Sequence, residues 1–297
     1  MKFYIVTPVL NSLGWLQRCV YSVADQVREG VEVHHHVQDG GSGDGTVRWL
    51  EEWCRGHAHG TGYSFSYASA SDAGMYDAIN KAWARVPQGA DVVAHLNADE
   101  QYLPGALGRV AAAFDEHPEA EILLGSFVVV DASGNYICHR RSAQPVRWRS
   151  QTVCELTTCT TFHRAEAFIC HGVRYDTSYR ALADVVFHRD LVNRGLRIVT
   201  LPEMLTSVFA VTGTNLGWTD ISQREWEAEL ARLPWYVSRR HGVAQACNNL
   251  LRRVADWRCE PPQEYAIYMP GGGQRQVKKI RKPTAHWGKR SVSPDSE

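Results

Sequence analysis

The feature that most constrains this chain is a beat of roughly thirty residues, the length of a strand plus a crossover helix. β-rich runs near 3–7, 31–38, 63–69 and 90–97 alternate with segments of helical spacing. After the second run, Thr46 is expected to cap a helix carrying Val47, Leu50 and Trp53 on one side. After the third, Met75, Ile79, Ala82 and Val86 recur at intervals of three and four, and Pro104 opens a further helix through Phe114. Parallel strands need such crossovers, so the first half reads as a doubly wound α/β sheet. The units share no sequence signature, which argues against a solenoid of thirty-residue repeats.

From residue 121 the rhythm changes. A strand over Ile122–Asp131, a turn with Ser133-Gly134-Asn135 and a strand at Tyr136–Arg140 read as a hairpin, which makes the sheet mixed. A helix is expected over 180–194, ended by Gly195, with a strand at 196–201 after it. Segment 222–256 is rich in Trp and Arg and reads as helical, broken in two by Pro234. Residues 257–297 carry Arg275, Lys278, Lys279, Arg281, Lys282, Lys289 and Arg290 with no acid between Glu264 and Asp295, so a basic, flexible tail is expected.

Composition excludes several classes. With 297 residues, 44% hydrophobic and 22% charged, the chain can bury one large core and an appendage. Formal net charge is zero, so the molecule as a whole has no electrostatic reason to seek nucleic acid. Eight cysteines at scattered spacings, with no CxxC pair, read as free thiols of a reducing cytoplasm. No run of about 18 apolar residues occurs, and Met1-Lys2 leads directly into a strand, so neither a membrane span nor a signal segment is expected.

In an open α/β sheet, ligands bind beyond the carboxyl ends of the strands. Here the ends are Thr7-Pro8, Asp39-Gly40-Gly41-Ser42, Ser71-Asp72-Ala73-Gly74 and Asn97-Ala98-Asp99-Glu100. Topology therefore brings three acidic positions to one rim. Carboxylates gathered in this way repel one another unless they share a cation, and hard oxygen ligands suit Mg2+ or Mn2+, with a diphosphate completing the shell. The glycines beside Asp39 and after Asp72 allow close approach of a ligand. His34, His35 and His36 alternate across their strand, cannot aim three rings at one point and read as structural.

In order along the chain, these motifs resemble the inverting glycosyltransferases of the GT-A fold, in the large glycosyltransferase family 2 of bacterial polysaccharide enzymes. The resemblance rests on Thr7-Pro8-Val9-Leu10-Asn11, on the run Gln38 to Thr46, on Ser71 to Lys81, and on Leu96-Asn97-Ala98-Asp99-Glu100. It continues through Leu182-Ala183-Asp184 and Arg194-Gly195, about residues 3–215. It implies a GT-A domain over 1–215, with a nucleotide-binding half (1–100) and an acceptor half (101–215), then a helical extension (216–256) and the basic tail. Thr7, Pro8, Asn11, Asp39, Gly40, Asp72, Gly74, Asn80, Asn97 and Ala98 would contact the nucleotide-sugar, and Asp39 the base. Asp99 would hold the metal on the donor diphosphate and Asp184 would be the general base.

Three positions depart from the family pattern. Asn97 stands where an acid is usual, Thr160-Thr161-Phe162 lacks a His before the aromatic residue, and Ala183 precedes Asp184 where a second acid is common. Arg140 and Arg141 read equally as a phosphate contact and as a solvated charge pair. Lys278, Lys279, Arg281 and Lys282 suit an anionic membrane surface, which would bring the protein to a lipid-linked glycan acceptor. The expected activity is transfer from a nucleotide-sugar, UDP-sugar favoured, to an acceptor hydroxyl in surface polysaccharide or glycolipid assembly. The alternatives are a nucleotidyltransferase that makes a sugar nucleotide, and a non-catalytic sugar-nucleotide binder.

Overall fold

The computed structural model describes residues 1–28 and 30–287. Its first half is the expected alternation: β1 (Lys2–Val9), α1 (Leu13–Ala24), β2 (Glu32–Asp39), α2 (Thr46–His57), β3 (Tyr63–Ser69), α3 (Met75–Trp83) and β4 (Val92–His95). β1 lies between β2 and β4, and β2 pairs with β3, all in parallel. Alternate residues of β1 feed opposite faces of the sheet. Phe3 and Ile5 pack with Leu16 and Val20 of α1 and Leu50 of α2, whereas Tyr4 and Val6 pack with Ile79 and Ala82 of α3. Helices on both faces make the sheet doubly wound. Thr46 does not cap α2: Gly45 takes that place at φ +94°, and Asp44 Oδ1 accepts both the amide and the hydroxyl of Thr46.

After β5 (Glu100–Tyr102) and α4 (Ala106–Glu116) come the hairpin strands β6 (Ile122–Asp131) and β7 (Tyr136–Arg140). α5 (Arg147–Ser150), β8 (Thr161–Arg164), α6 (Ala165–Cys170) and α7 (Ala183–Asn193) lead to the long β9 (Ile198–Val211). Among the described residues the main sheet runs β3-β2-β1-β4-β8-β6-β9-β5, with β7 on β6. β8 is antiparallel to both β4 and β6, so the sheet is mixed, as expected. β9 passes beyond residue 201 because its pairing with β6 slips near Pro202, whose missing N–H would otherwise break the ladder. α7 starts at Ala183, later than expected, because Glu225 accepts the amides of Arg180, Ala181 and Leu182 and holds them in a loop.

The extension is α8 (Asp220–Arg232), α9 (Trp235–Ser238) and α10 (His241–Arg258), with the break at Pro234. The tail corrects the expectation of disorder. β10 (Glu264–Tyr268) and β11 (Arg275–Lys279) form an antiparallel hairpin. Tyr265 and Ile267 alternate onto one face and bury against Val128, Val130 and Val208. Arg275 locks the hairpin to the main body through Nε and Nη2 bonds of 2.5 and 2.7 Å to Asp25, which also accepts the Tyr268 hydroxyl. The bias toward cations hid this pattern, since Lys278 and Lys279 occupy the other strand. Lys289 and Arg290 lie outside the described residues.

All eight cysteines are free thiols. No helix among the described residues is long and apolar enough to cross a membrane. The three histidines of β2 are structural, as expected: His35 is buried against Thr7 Oγ1, and His34 and His36 bond Ser66 and stack beside Tyr4.

Candidate active-site cleft

A cleft of about 1120 Å³ opens at the carboxyl ends of β1, β4 and the strands beside them. Its floor is assembled by bonds between loops. Asn11, at φ +48°, donates its amide to Ser42 Oγ at 2.7 Å and accepts the Gly43 amide at 2.8 Å, so the first loop is tied to the second. Asp72 Oδ1 accepts the Gly74 amide at 2.8 Å, and a Cβ on Gly40 would meet Asp72 Oδ2 at 2.8 Å. A side chain at position 40 would displace the Asp72 carboxylate that lies against it.

Pro8, Asn11, Asp72, Gly74, Asn97, Ala98, Asp99 and Asp184 all line this cleft. Four other expected nucleotide contacts do not. Thr7 is fully buried, with its hydroxyl on His35. Asn80 spends its amide on the backbone of Tyr175, donating to the carbonyl and accepting the amide. Asp39 is fully buried below the surface: its Oδ2 accepts Gly41 N, Ser42 N and Ser69 Oγ, while Oδ1 has no partner among the described residues. Gly40 serves packing against Asp72 and does not face the cleft. Asp77 pairs with Lys81 at 2.9 Å on the surface.

Asp99 stands on one wall. Desolvation holds its carboxyl up to about pH 6, with the Arg18 guanidinium opposing the shift. Asn215 Nδ2 lies 3.3 Å from Asp99 Oδ2. Next to it Glu100 is buried, accepts the Asn97 amide and is pushed to about 8 by burial and by Asp99. Asn97 Oδ1 is held by His95 Nε2 at 3.0 Å. No group of three or more His, Cys, Asp or Glu among the described residues is placed to hold a metal ion by itself. This donor set fits Mg2+ or Mn2+ bound through one carboxylate, with the remaining oxygens from a diphosphate and water. A carboxylate whose charge is suppressed by burial gains most from such a cation.

Asp184 sits in the first turn of α7 with Oδ1 accepting the Tyr76 hydroxyl at 3.0 Å and the Val185 amide at 2.9 Å. Burial raises its pKa, and the Tyr76 bond partly offsets the rise. Oδ2 accepts no bond from the described residues. Phe209, Trp218 and Trp287 line the same cleft with their rings edge-on, 5.7–6.2 Å between centroids.

Sequence reasoning missed Tyr76 as a partner of Asp184, Asn215, Glu225 and this aromatic group. Tyr76 lies within a motif already singled out, so its proximity was open to inference. The others come from segments more than a hundred residues distant from the first motifs or from the tail, and no local pattern marks them.

The curled, mostly parallel mixed sheet with its cleft at the strand ends is the GT-A fold, and solved structures of that fold match it. S. aureus TarS 1–349 in complex with UDP-GlcNAc is similar over 80% of this chain and 69% of that one, at 17% identity and a TM-score of 0.60. The mannosyltransferase PcManGT from Pyrobaculum calidifontis, in complex with GDP-Man and Mn2+, is similar over 85% of this chain and 71% of that one, at 15% identity and a TM-score of 0.55. Another S. aureus TarS structure is matched over 93% of this chain and 60% of that one, at 14% identity and a TM-score of 0.58. No curated protein matches. The family model described as Glycosyl transferase family 2 matches residues 4–172. The chain belongs to that family, and it is a glycosyltransferase.

Proposed function

We propose that this chain transfers a sugar from a nucleotide-sugar, UDP-sugar favoured, to an acceptor hydroxyl with inversion at the anomeric carbon. The observation that carries the reading is that Asp99 and Asp184 face one cleft, and that burial raises the carboxyl pKa of each. The donor-side loops offer Pro8, Asn11, Asp72, Gly74, Asn97 and Ala98 to the nucleotide-sugar. TarS in complex with UDP-GlcNAc favours a UDP-sugar; PcManGT in complex with GDP-Man keeps a GDP-sugar in the test.

In the transfer, Asp184 Oδ2 takes the proton of the acceptor hydroxyl as its oxygen forms the new bond to the anomeric carbon. The bond from that carbon to the diphosphate breaks, and its electron pair leaves with the nucleoside diphosphate. Tyr76 and the Val185 amide hold Oδ1, which fixes the direction of Oδ2. Asp99 would hold the divalent cation, with Asn215 steadying its carboxylate. When bound, Mg2+ or Mn2+ supplies positive charge to the departing diphosphate. Phe209, Trp218 and Trp287 offer apolar ring faces to a glycan acceptor.

Surface polysaccharide or glycolipid assembly at the inner face of the cell membrane remains the proposed setting. Lys279, Arg281 and Lys282 are exposed beside Val277, which is 61% exposed, and they suit anionic headgroups. The deciding experiment measures release of UDP, GDP or dTDP from each nucleotide-sugar, with Mn2+ and with chelator, against a glycan acceptor panel. Metal-dependent release with one nucleotide supports the reading. Binding of a nucleotide-sugar with no transfer to any acceptor would favour the non-catalytic alternative.

A further inference from the structure

Two arginines on the cleft wall are left nearly without partners. Arg140 ends β7 and Arg252 lies in α10, and both line the cleft. A guanidinium carries five N–H donors. Among the described residues Arg140 makes one hydrogen bond, from Nη1 to Ala285 O at 3.2 Å, and Arg252 makes one, from Nη2 to Glu155 O at 3.4 Å. The Nε of each is buried with no acceptor. Neither ion-pairs with a carboxylate among the described residues. The neighbouring arginines make more bonds: Arg149 pairs with Glu155 and bonds Gln144 O, and Arg141, although its Nε also lacks an acceptor, spans the carbonyls of Pro202 and Glu260.

Two desolvated cations that repel each other are costly unless an anion joins them. Burial, and then the charge of Arg140, pull the Arg252 pKa down to about 10. Both arginines also wall a second cavity of about 480 Å³, shared with Asn249, Arg253 and residues 284–287 of the tail. The donor side has its own cation, since the guanidinium that acts on Asp99 is Arg18. Arg252 is tied to another part of the wall: it bonds Glu155 O, between Cys154 and Leu156, which line the same cleft as Asp184.

We propose that Arg140 and Arg252 form a phosphoryl-binding site on the acceptor side of the cleft, for an acceptor that carries a phosphate or phosphodiester near the hydroxyl it offers. The word acceptor rests on the transferase reading above; the anion site itself does not. A planar fork on each arginine matches phosphoryl oxygens in bidentate geometry.

The test is calorimetric titration of the whole chain with inorganic phosphate, alone and after saturation with UDP and Mn2+, for wild type, Arg140→Gln and Arg252→Gln. Phosphate is expected to bind the UDP-loaded wild type, and each variant to weaken it by about tenfold or more while UDP affinity stays within about twofold. The melting temperature of each apo variant should equal or exceed that of wild type, because a half-buried cation with a buried, unpartnered Nε has been removed. Equal phosphate binding in all three proteins overturns the site. A parallel loss of phosphate and UDP affinity also overturns it, assigning the pair to the donor diphosphate. If UDP fails to bind wild type while the phosphate loss persists, the donor reading falls and the anion site stands. Should one variant fail to fold, the other decides.

Discussion

Tyr76 donates its hydroxyl to Oδ1 of Asp184 at 3.0 Å, joining the first turn of α3 to the first turn of α7 across 108 residues. That bond favours the charged form of Asp184, while burial opposes it. Tyr76→Phe removes the favourable part, so the pKa of Asp184 rises further. Only the ionised carboxylate accepts a proton, so the acidic limb of the kcat profile should move to higher pH in Tyr76→Phe. Asp184→Asn should lower kcat by about a hundredfold or more with donor affinity nearly intact. Unchanged turnover in Asp184→Asn would remove it from the base role.

Asp99→Ala is expected to abolish the metal-dependent part of UDP-sugar binding and to leave the chelator-insensitive part alone. Titration of UDP with and without Mn2+ reads this directly. The variant should also be at least as stable as wild type without ligand, since a desolvated carboxylate is lost. Equal Mn2+ enhancement in both proteins would place the cation elsewhere.

Arg275→Ala should destabilise the protein by about 1.5 kcal/mol, the lower end for losing a hydrogen bond to a charged group, since Arg275 is half-buried and Asp25 is exposed. Arg275 holds Asp25 with two nitrogens and the carbonyl of Tyr102 with a third. Denaturant unfolding measures the loss. A change below about 0.5 kcal/mol, typical of a surface site, would mean that the hairpin does not support the main sheet.

Stability should fall in mild acid. Burial lowers the pKa of His35, His163 and His188 to about 3 and of His95 to about 4, from 6.5. Between those values and 6.5 the unfolded chain binds protons that the folded chain refuses. The stability from keeping these rings neutral is therefore whole above pH 6.5 and drains away as pH falls toward 4. Each ring contributes roughly 1.4 kcal/mol per unit over that window. Asp99 and Glu100, with raised pKa values, act in the opposite sense, but the four rings outnumber them below pH 6.5, so unfolding at pH 6 and 5 should show a decline that His188→Gln flattens.

Full-length protein should pellet with liposomes of anionic lipid, and replacing Lys279, Arg281 and Lys282 with Gln should reduce this by about 1 kcal/mol per cation. Equal pelleting of both proteins would sink the membrane contact.

The βα rhythm was legible because a strand and the helix that covers it each carry their own period, 2 and 3.6, within a few residues. Hence β1 to β4 stand near their expected runs, and Asp72, Asp99 and Asp184 face the cleft. The tail was misread for the converse reason. Tyr265 and Ile267 alternate for only one short strand, and their burial depends on Val128 and Val208, which no local count includes.

Sequence by itself determined the fold class and the acidic residues at the strand ends, since parallel topology brings those ends to one rim wherever the loops go. The tertiary structure decided which of those residues reach the cleft. Thr7, Asp39 and Asn80 sit in the right motifs, yet each is bonded to partners inside the protein, and none of the three lines the cleft. It also brought in Tyr76, Asn215, Arg252 and Trp287. A side chain's partners are set by packing between distant segments, and the energy that selects them appears only when those segments meet.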